Sequence, residues 1–173
     1  KYVFTGRERH THARPDNLGY PARAVRTADY LYVLNFKPDR WPAGDPAPEE
    51  SMNPLAEKGI RDLLPGYHDV DNSTSKQFLI DQKEAWPKYF DLAFSKRPAE
   101  QLYEIKSDPG CINNVAENPE FLQIKKELNQ ILMYELTKQG DPRVLGKGDV
   151  FESYPRFAHM RSFPGFKESG KYN

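Results

Sequence analysis

The stretch NPEFLQIKKELNQILMYELTKQG, residues 118–140, decides the fold. Asn118 is a side-chain cap, Pro119 suits the first helical position, and Gly140 with Pro142 closes the far end. These signals predict a helix over 119–139. Phe121, Ile124, Leu128, Ile131 and Leu132 fall at helical spacing and make one apolar stripe. A chain this short needs that stripe to cover a sheet, so it reads as core rather than as a groove for a partner.

The sheet it would cover lies upstream. Glu100-Gln101-Leu102-Tyr103-Glu104-Ile105 alternates polar and apolar residues and predicts a strand, closed by a turn at Asp108-Pro109-Gly110. Residues 22–27 and 30–36, rich in Val, Tyr and Leu and separated by Ala28-Asp29, predict a hairpin. Lys1-Tyr2-Val3-Phe4-Thr5 reads as a strand entered in mid-fold, as in a fragment or a processed chain. Ser73 caps a helix carrying Phe78, Leu79 and Trp86 and broken near Pro87, with a second helical stretch at 89–94. Residues 37–54 are an extended connection, because Pro38, Pro42, Pro46, Pro48 and Pro54 forbid a regular ladder. Residues 141–173 hold six aromatics among Gly and Pro and predict an ordered but irregular wrap.

Composition narrows the class. Among 173 residues only 38% are hydrophobic, with 15 Pro and 11 Gly, so turns and irregular stretches are frequent and aromatics must supply much of the core. No run approaches the ~20 apolar residues of a membrane helix, and the first residues carry no signal-peptide pattern. The one cysteine, Cys111, excludes an internal disulfide framework and a multi-cysteine zinc site. Formal net charge is zero, yet residues 1–26 carry Lys1, Arg7, Arg9, Arg14, Arg23 and Arg26 against Glu8 and Asp16. A basic patch on a neutral chain suits a local anionic ligand; nucleic-acid binders are usually positive overall.

The densest chemistry is Arg7-Glu8-Arg9-His10-Thr11-His12-Ala13-Arg14. Three guanidiniums and two imidazoles on one loop suit an oxyanion, since arginine offers a rigid fork of donors and stays charged. The competing reading is a solvated loop whose arginines pair with Glu8, Asp16 or remote carboxylates. His10-x-His12 is also the start of a metal site, but no third ligand stands at a recognisable spacing and the arginines repel a cation. Cys111, in Pro109-Gly110-Cys111-Ile112-Asn113-Asn114, has no histidine or basic neighbour to lower its pKa and reads as a structural thiol. Asp69-x-Asp71 before Ser73 lacks the Gly and distal Glu of a calcium loop, so capping and turn formation explain it.

Taken together these segments resemble the C-terminal portion of the sulfatases, most of all the heparan N-sulfatase (sulfamidase) branch. The matching pieces stand in family order over about residues 1–145. They are Tyr20-Pro21-Ala22-Arg23-Ala24-Val25-Arg26-Thr27 with Tyr30-Leu31-Tyr32, then Asn35-Phe36-Lys37, Asp71-Asn72-Ser73-Thr74, and residues 100–105 followed by Asp108-Pro109 and Asn114-Val115-Ala116.

The resemblance implies an α+β fold: a small antiparallel sheet packed by a long C-terminal helix and docked on a larger alkaline-phosphatase-like α/β domain. Residues 1–19 would be the last strand and pocket loop at that domain's edge, 20–140 the C-terminal subdomain, and 141–173 an aromatic-rich tail that departs from the family pattern. It implies hydrolysis of sulfate esters or sulfamates on glycans of glycosaminoglycan type, in a periplasmic, secreted or lysosomal parent. The formylglycine arising in a Cys/Ser-x-Pro-x-Arg motif, and the calcium site, would lie outside this chain: Cys111 is followed by Ile112-Asn113-Asn114-Val115, which supplies neither the Pro nor the Arg. The chain alone would be inactive, with no catalytic or metal residues of its own. Arg7, Arg9, His10, His12 and Arg14 would bind the substrate. The implied partners are a sulfated glycan and the N-terminal catalytic domain of the same protein, with neither nucleic acid nor membrane. A free-standing carbohydrate- or anion-binding module without catalysis is the alternative.

Overall fold

A computed structural model describes residues 1–10, 14, 18–46 and 66–154. Four strands, β1 (Val3–Arg7), β2 (Ala22–Arg26), β3 (Tyr30–Asn35) and β4 (Glu100–Glu104), form one antiparallel sheet in chain order. The remaining elements are α1 (Thr74–Asp81), α2 (Pro87–Phe94), α3 (Leu122–Lys138) and short 3-10 turns at Pro119–Phe121 and Gly148–Glu152. This is the α+β arrangement expected. Among the described residues no helix is long and apolar enough to cross a membrane.

The register explains the core. Phe4 stands opposite Val25, Val25 opposite Tyr32, and Tyr32 opposite Leu102, so one row of apolar side chains crosses all four strands on the same face. Helix α3 lays Leu128, Leu132 and Leu136 over that row, with Phe121, Ile124 and Ile131 partly buried beside them. Burying each leucine contributes about 1.5–3 kcal/mol. The predicted stripe is therefore core, and Leu136 extends it by one turn. Asn129 on α3 donates to the Tyr32 hydroxyl at 2.7 Å, while that hydroxyl donates to Glu100 at 2.6 Å. Burial, then the Glu100 carboxylate, push the Tyr32 phenol well above its usual range.

Local signals act as predicted. Asn118 accepts from the Glu120 N–H at 3.1 Å, and the first turn it caps is 3-10 before the chain settles into α3. Gly140, at φ +72°, provides the left-handed stop. The Thr27 hydroxyl accepts from the N–H groups of Asp29 and Tyr30 at 3.1 and 2.9 Å and closes the hairpin. Ser73 caps α1 through the Lys76 N–H, and Trp86 ends up as the residue before α2 rather than within the first helix.

The first strand, β1, stands at the edge of the small sheet, paired to β2 from Val3–Arg26 to Arg7–Ala22. A second, smaller cluster of Ala43, Tyr67 and Phe94, flanked by Trp41, Leu79, Ile80 and Phe90, fills the space around α1 and α2. The tail lies close to the sheet as far as the Gly148–Glu152 turn, and residues 155–173, which carry four of the six aromatics of the predicted wrap, lie outside the described residues.

Candidate functional site

The loop leaving β1 meets two groups of charged side chains, and their exposure separates them. The first is neutral and closed. Glu8 takes Arg23 Nη2 at 2.6 Å on one oxygen and Arg143 Nη2 at 2.7 Å on the other. Arg23 also donates to Asp141 at 2.6 Å, and Glu152 receives Arg40 at 2.8 Å, Arg143 at 3.2 Å and the Gly19 N–H at 2.9 Å. Three guanidiniums face three carboxylates, which is a structural clasp between the β1 loop, β2 and the tail. Gly19 is required there: a Cβ would stand 2.6 Å from the Glu8 carbonyl oxygen.

The second group, among the described residues, gathers on a single buried carboxylate and is partly open. The Asp69 side chain is fully buried, and three residues of the loop converge on it. Arg7 Nη2 and Arg14 Nη2 both donate to Oδ2, the latter at 2.8 Å, and His10 Nδ1 lies 3.0 Å from Oδ1. Two guanidiniums and an imidazole thus share one carboxylate. Arg14 is 1% exposed and also donates to the carbonyls of Trp41 and Pro42, each at 2.7 Å. It fastens the loop to the 41–45 segment and is closed to ligands from solvent. Arg7 and His10 are 44% and 63% exposed and form the outward side of the cluster.

Asp69 is itself held from below. Its N–H donates to Ala43 at 2.9 Å, and the Tyr67 N–H donates to Asp45 at 2.7 Å. Buried Lys76, on α1, gives its ammonium to the carbonyls of Tyr67 and Val70, both at 3.0 Å. Behind the cluster, burial pushes the Tyr20 phenol up, against the opposing pull of Arg97, Arg14 and Arg7. Burial raises the Asp45 carboxyl as well, with Arg14 and Lys96 opposing.

Of the five residues proposed from sequence, the structure brings Arg7, His10 and Arg14 together on Asp69. Arg9 lies between them in the loop, half-buried, and His12 lies outside the described residues. The pairing with a remote carboxylate that the competing reading foresaw is present, yet it leaves Arg7 and His10 facing outward. Asp69 was read as a turn former. Its clue was arithmetic: the basic surplus of residues 1–26 needs acid from elsewhere, and only folding says which one. Among the described residues no group of three or more His, Cys, Asp or Glu could hold a metal ion. Cys111 is a free thiol at φ +52° in the turn after β4, and burial followed by Asp108 pushes its pKa up against the opposing pull of Arg26.

No protein-family model matches this chain. It is similar to an ulvan-active sulfatase of Formosa agariphila, 27% identical over 128 residues, which cover 74% of this chain. The chain spans 18% of the length of that curated relative. The likeness supports a sulfatase-related portion and reaches no finer.

Proposed function

We propose that this chain is the C-terminal portion of a sulfatase acting on a sulfated glycan, and that the loop from Arg7 to Arg14 reads an anionic group of that glycan. The likeness to the ulvan-active sulfatase carries the reading. The outward pair Arg7 and His10, held on a buried carboxylate, supports the role of the loop. A guanidinium donates in the plane of an oxyanion, and the imidazole on the same carboxylate adds one directional hydrogen bond to the sugar. The residues of this chain bind and orient. Arg14 and Asp69 fix the loop, Arg7 and His10 meet the ligand, and Arg9 and His12 are the further proposed contacts.

The attacking formylglycine and a calcium ion that polarises the sulfate belong to the N-terminal catalytic domain in this reading. Glycosaminoglycan substrates of heparan type follow from the resemblance to the sulfamidase branch, and ulvan-type substrates from the named relative. The self-contained core of sheet and α3 equally suits a free-standing anion-binding module, in which the loop plays the same part without catalysis.

Calorimetric titration of the chain with ulvan and heparan sulfate oligosaccharides, each beside its desulfated counterpart, tests the binding role. Binding of the sulfated member, weakened by salt, is expected. No binding, or equal binding of the desulfated sugar, removes the loop from substrate recognition.

A further inference from the structure

We infer that Asp69 is a positioning residue that locks His10 with its proton on Nδ1 and thereby presents Nε2, alongside Arg7, to the sugar. This rests on the proposed function for the identity of the ligand, and on geometry for the tautomer.

The argument starts from what Asp69 can offer. Its Oδ2 accepts from two guanidiniums, Arg7 and Arg14, leaving Oδ1 for His10 Nδ1 at 3.0 Å. A carboxylate facing two guanidiniums has only lone pairs to give, so the imidazole must be the donor. A proton on Nδ1 makes Nε2 of the neutral ring an acceptor on the opposite side. Asp69 is fully buried while 63% of the His10 side chain is exposed, so one ring edge is anchored inward and the other is turned outward.

The anchor is rigid because it is made from three directions. The Asp69 N–H is tied to Ala43, its loop is gripped by Lys76 through Tyr67 and Val70, and Arg14 pins the carboxylate to the 41–42 carbonyls. Arg7, the other exposed group on the same carboxylate, meets solvent on the same cluster. The pair offers one donor fork and one acceptor, which matches a sulfate oxygen next to a free sugar hydroxyl. A bare inorganic anion uses only the fork. The device therefore selects a sulfated sugar over a bare anion.

Two-bond 1H–15N correlation on the wild-type chain at pH 8 reads the tautomer directly, with the His10 signals assigned by comparison with His10→Gln. The expected pattern is a protonated Nδ1 and a bare Nε2, and addition of an ulvan oligosaccharide, or a heparan sulfate oligosaccharide as second probe, should shift Nε2 more than Nδ1. The reverse tautomer overturns the inference without any variant having to fold. A glycan that binds while leaving Nε2 unshifted overturns it too, and leaves the proposed function standing. Absence of glycan binding sinks the proposed function and the ligand-facing half of the inference, while the tautomer result stands by itself. Asp69→Asn should mix the tautomers and weaken oligosaccharide binding at least tenfold. Tyr32→Phe, a core change away from the loop, should leave both as they are. An unchanged tautomer in Asp69→Asn contradicts the positioning role.

Discussion

Arg143 Nη2 donates to Glu8 Oε2 across 2.7 Å, joining residues 135 positions apart in the sequence. The contact ties the tail to the loop whose next residues meet Asp69, and Arg23 closes on the other oxygen of the same carboxylate. Removing the charge of Glu8 leaves two nearly buried guanidiniums facing an amide. Glu8→Gln is expected to cost about 3 kcal/mol in urea unfolding, since breaking one partner of a buried network strands the others. Unchanged stability would mean that Arg23 and Arg143 find other partners at no cost.

Acid should loosen the same clasp. Burial works against the charged form of Glu152, but the hydrogen bonds from Arg40 and the Gly19 N–H outweigh it and hold the carboxyl below its ordinary 4.5. A depressed folded value contributes stability that is present above 4.5 and is lost as pH falls through the folded value. Thermal unfolding from pH 7 to pH 3 should therefore show melting temperature falling below about pH 4.5. Glu152→Gln should be less stable at pH 7 and show a shallower decline below pH 4.5.

The docking of α3 on the sheet can be weighed by two substitutions. Leu132→Ala opens a cavity at a fully buried site and should cost about 2–5 kcal/mol. Tyr32→Phe keeps the ring and removes the hydroxyl shared by Glu100 and Asn129, for about 1–2 kcal/mol. Denaturant titration of both variants checks the order, and a larger loss for the phenylalanine would place the weight on the polar bridge.

These elements also show what the chain alone reveals. The α3 stripe, the Thr27 hairpin and the Ser73 and Asn118 caps rest on neighbours within a few positions, so period and cap residues were enough to read them. Leu136 escaped because the predicted face was judged by its first three turns. The pairing of β1 with β2 and the convergence on Asp69 depend on contacts 15 to 62 positions apart, for which the local sequence carries no signal. The loop was legible as a concentration of cations, but the division between buried Arg14 and outward Arg7 and His10 arises only when Asp69 is brought beneath it.

Cys111 should remain an ordinary cysteine. The residues after it supply neither the Pro nor the Arg expected of a formylglycine motif, and burial with Asp108 disfavours its thiolate. Peptide mass spectrometry over residues 110–114 should give the unmodified mass and slow alkylation at pH 7. An aldehyde mass there would move the proposed catalytic centre into this chain.

In the proposed function the β1 loop serves a sulfatase by reading its glycan. Sulfate release by the full gene product containing this chain is the deciding experiment, with ulvan and heparan sulfate oligosaccharides compared with a small aryl sulfate. Wild type should release sulfate from an oligosaccharide. Arg7→Ala should lower kcat/KM on that oligosaccharide roughly 10- to 100-fold, the loss of a charged hydrogen bond of ~1.5–3 kcal/mol, His10→Ala roughly 2- to 10-fold, the loss of a neutral one of ~0.5–1.5 kcal/mol, and both should leave the aryl sulfate unchanged. Failure of the wild type to release sulfate from any of these substrates, or equal losses on the large and small ones, would contradict the account.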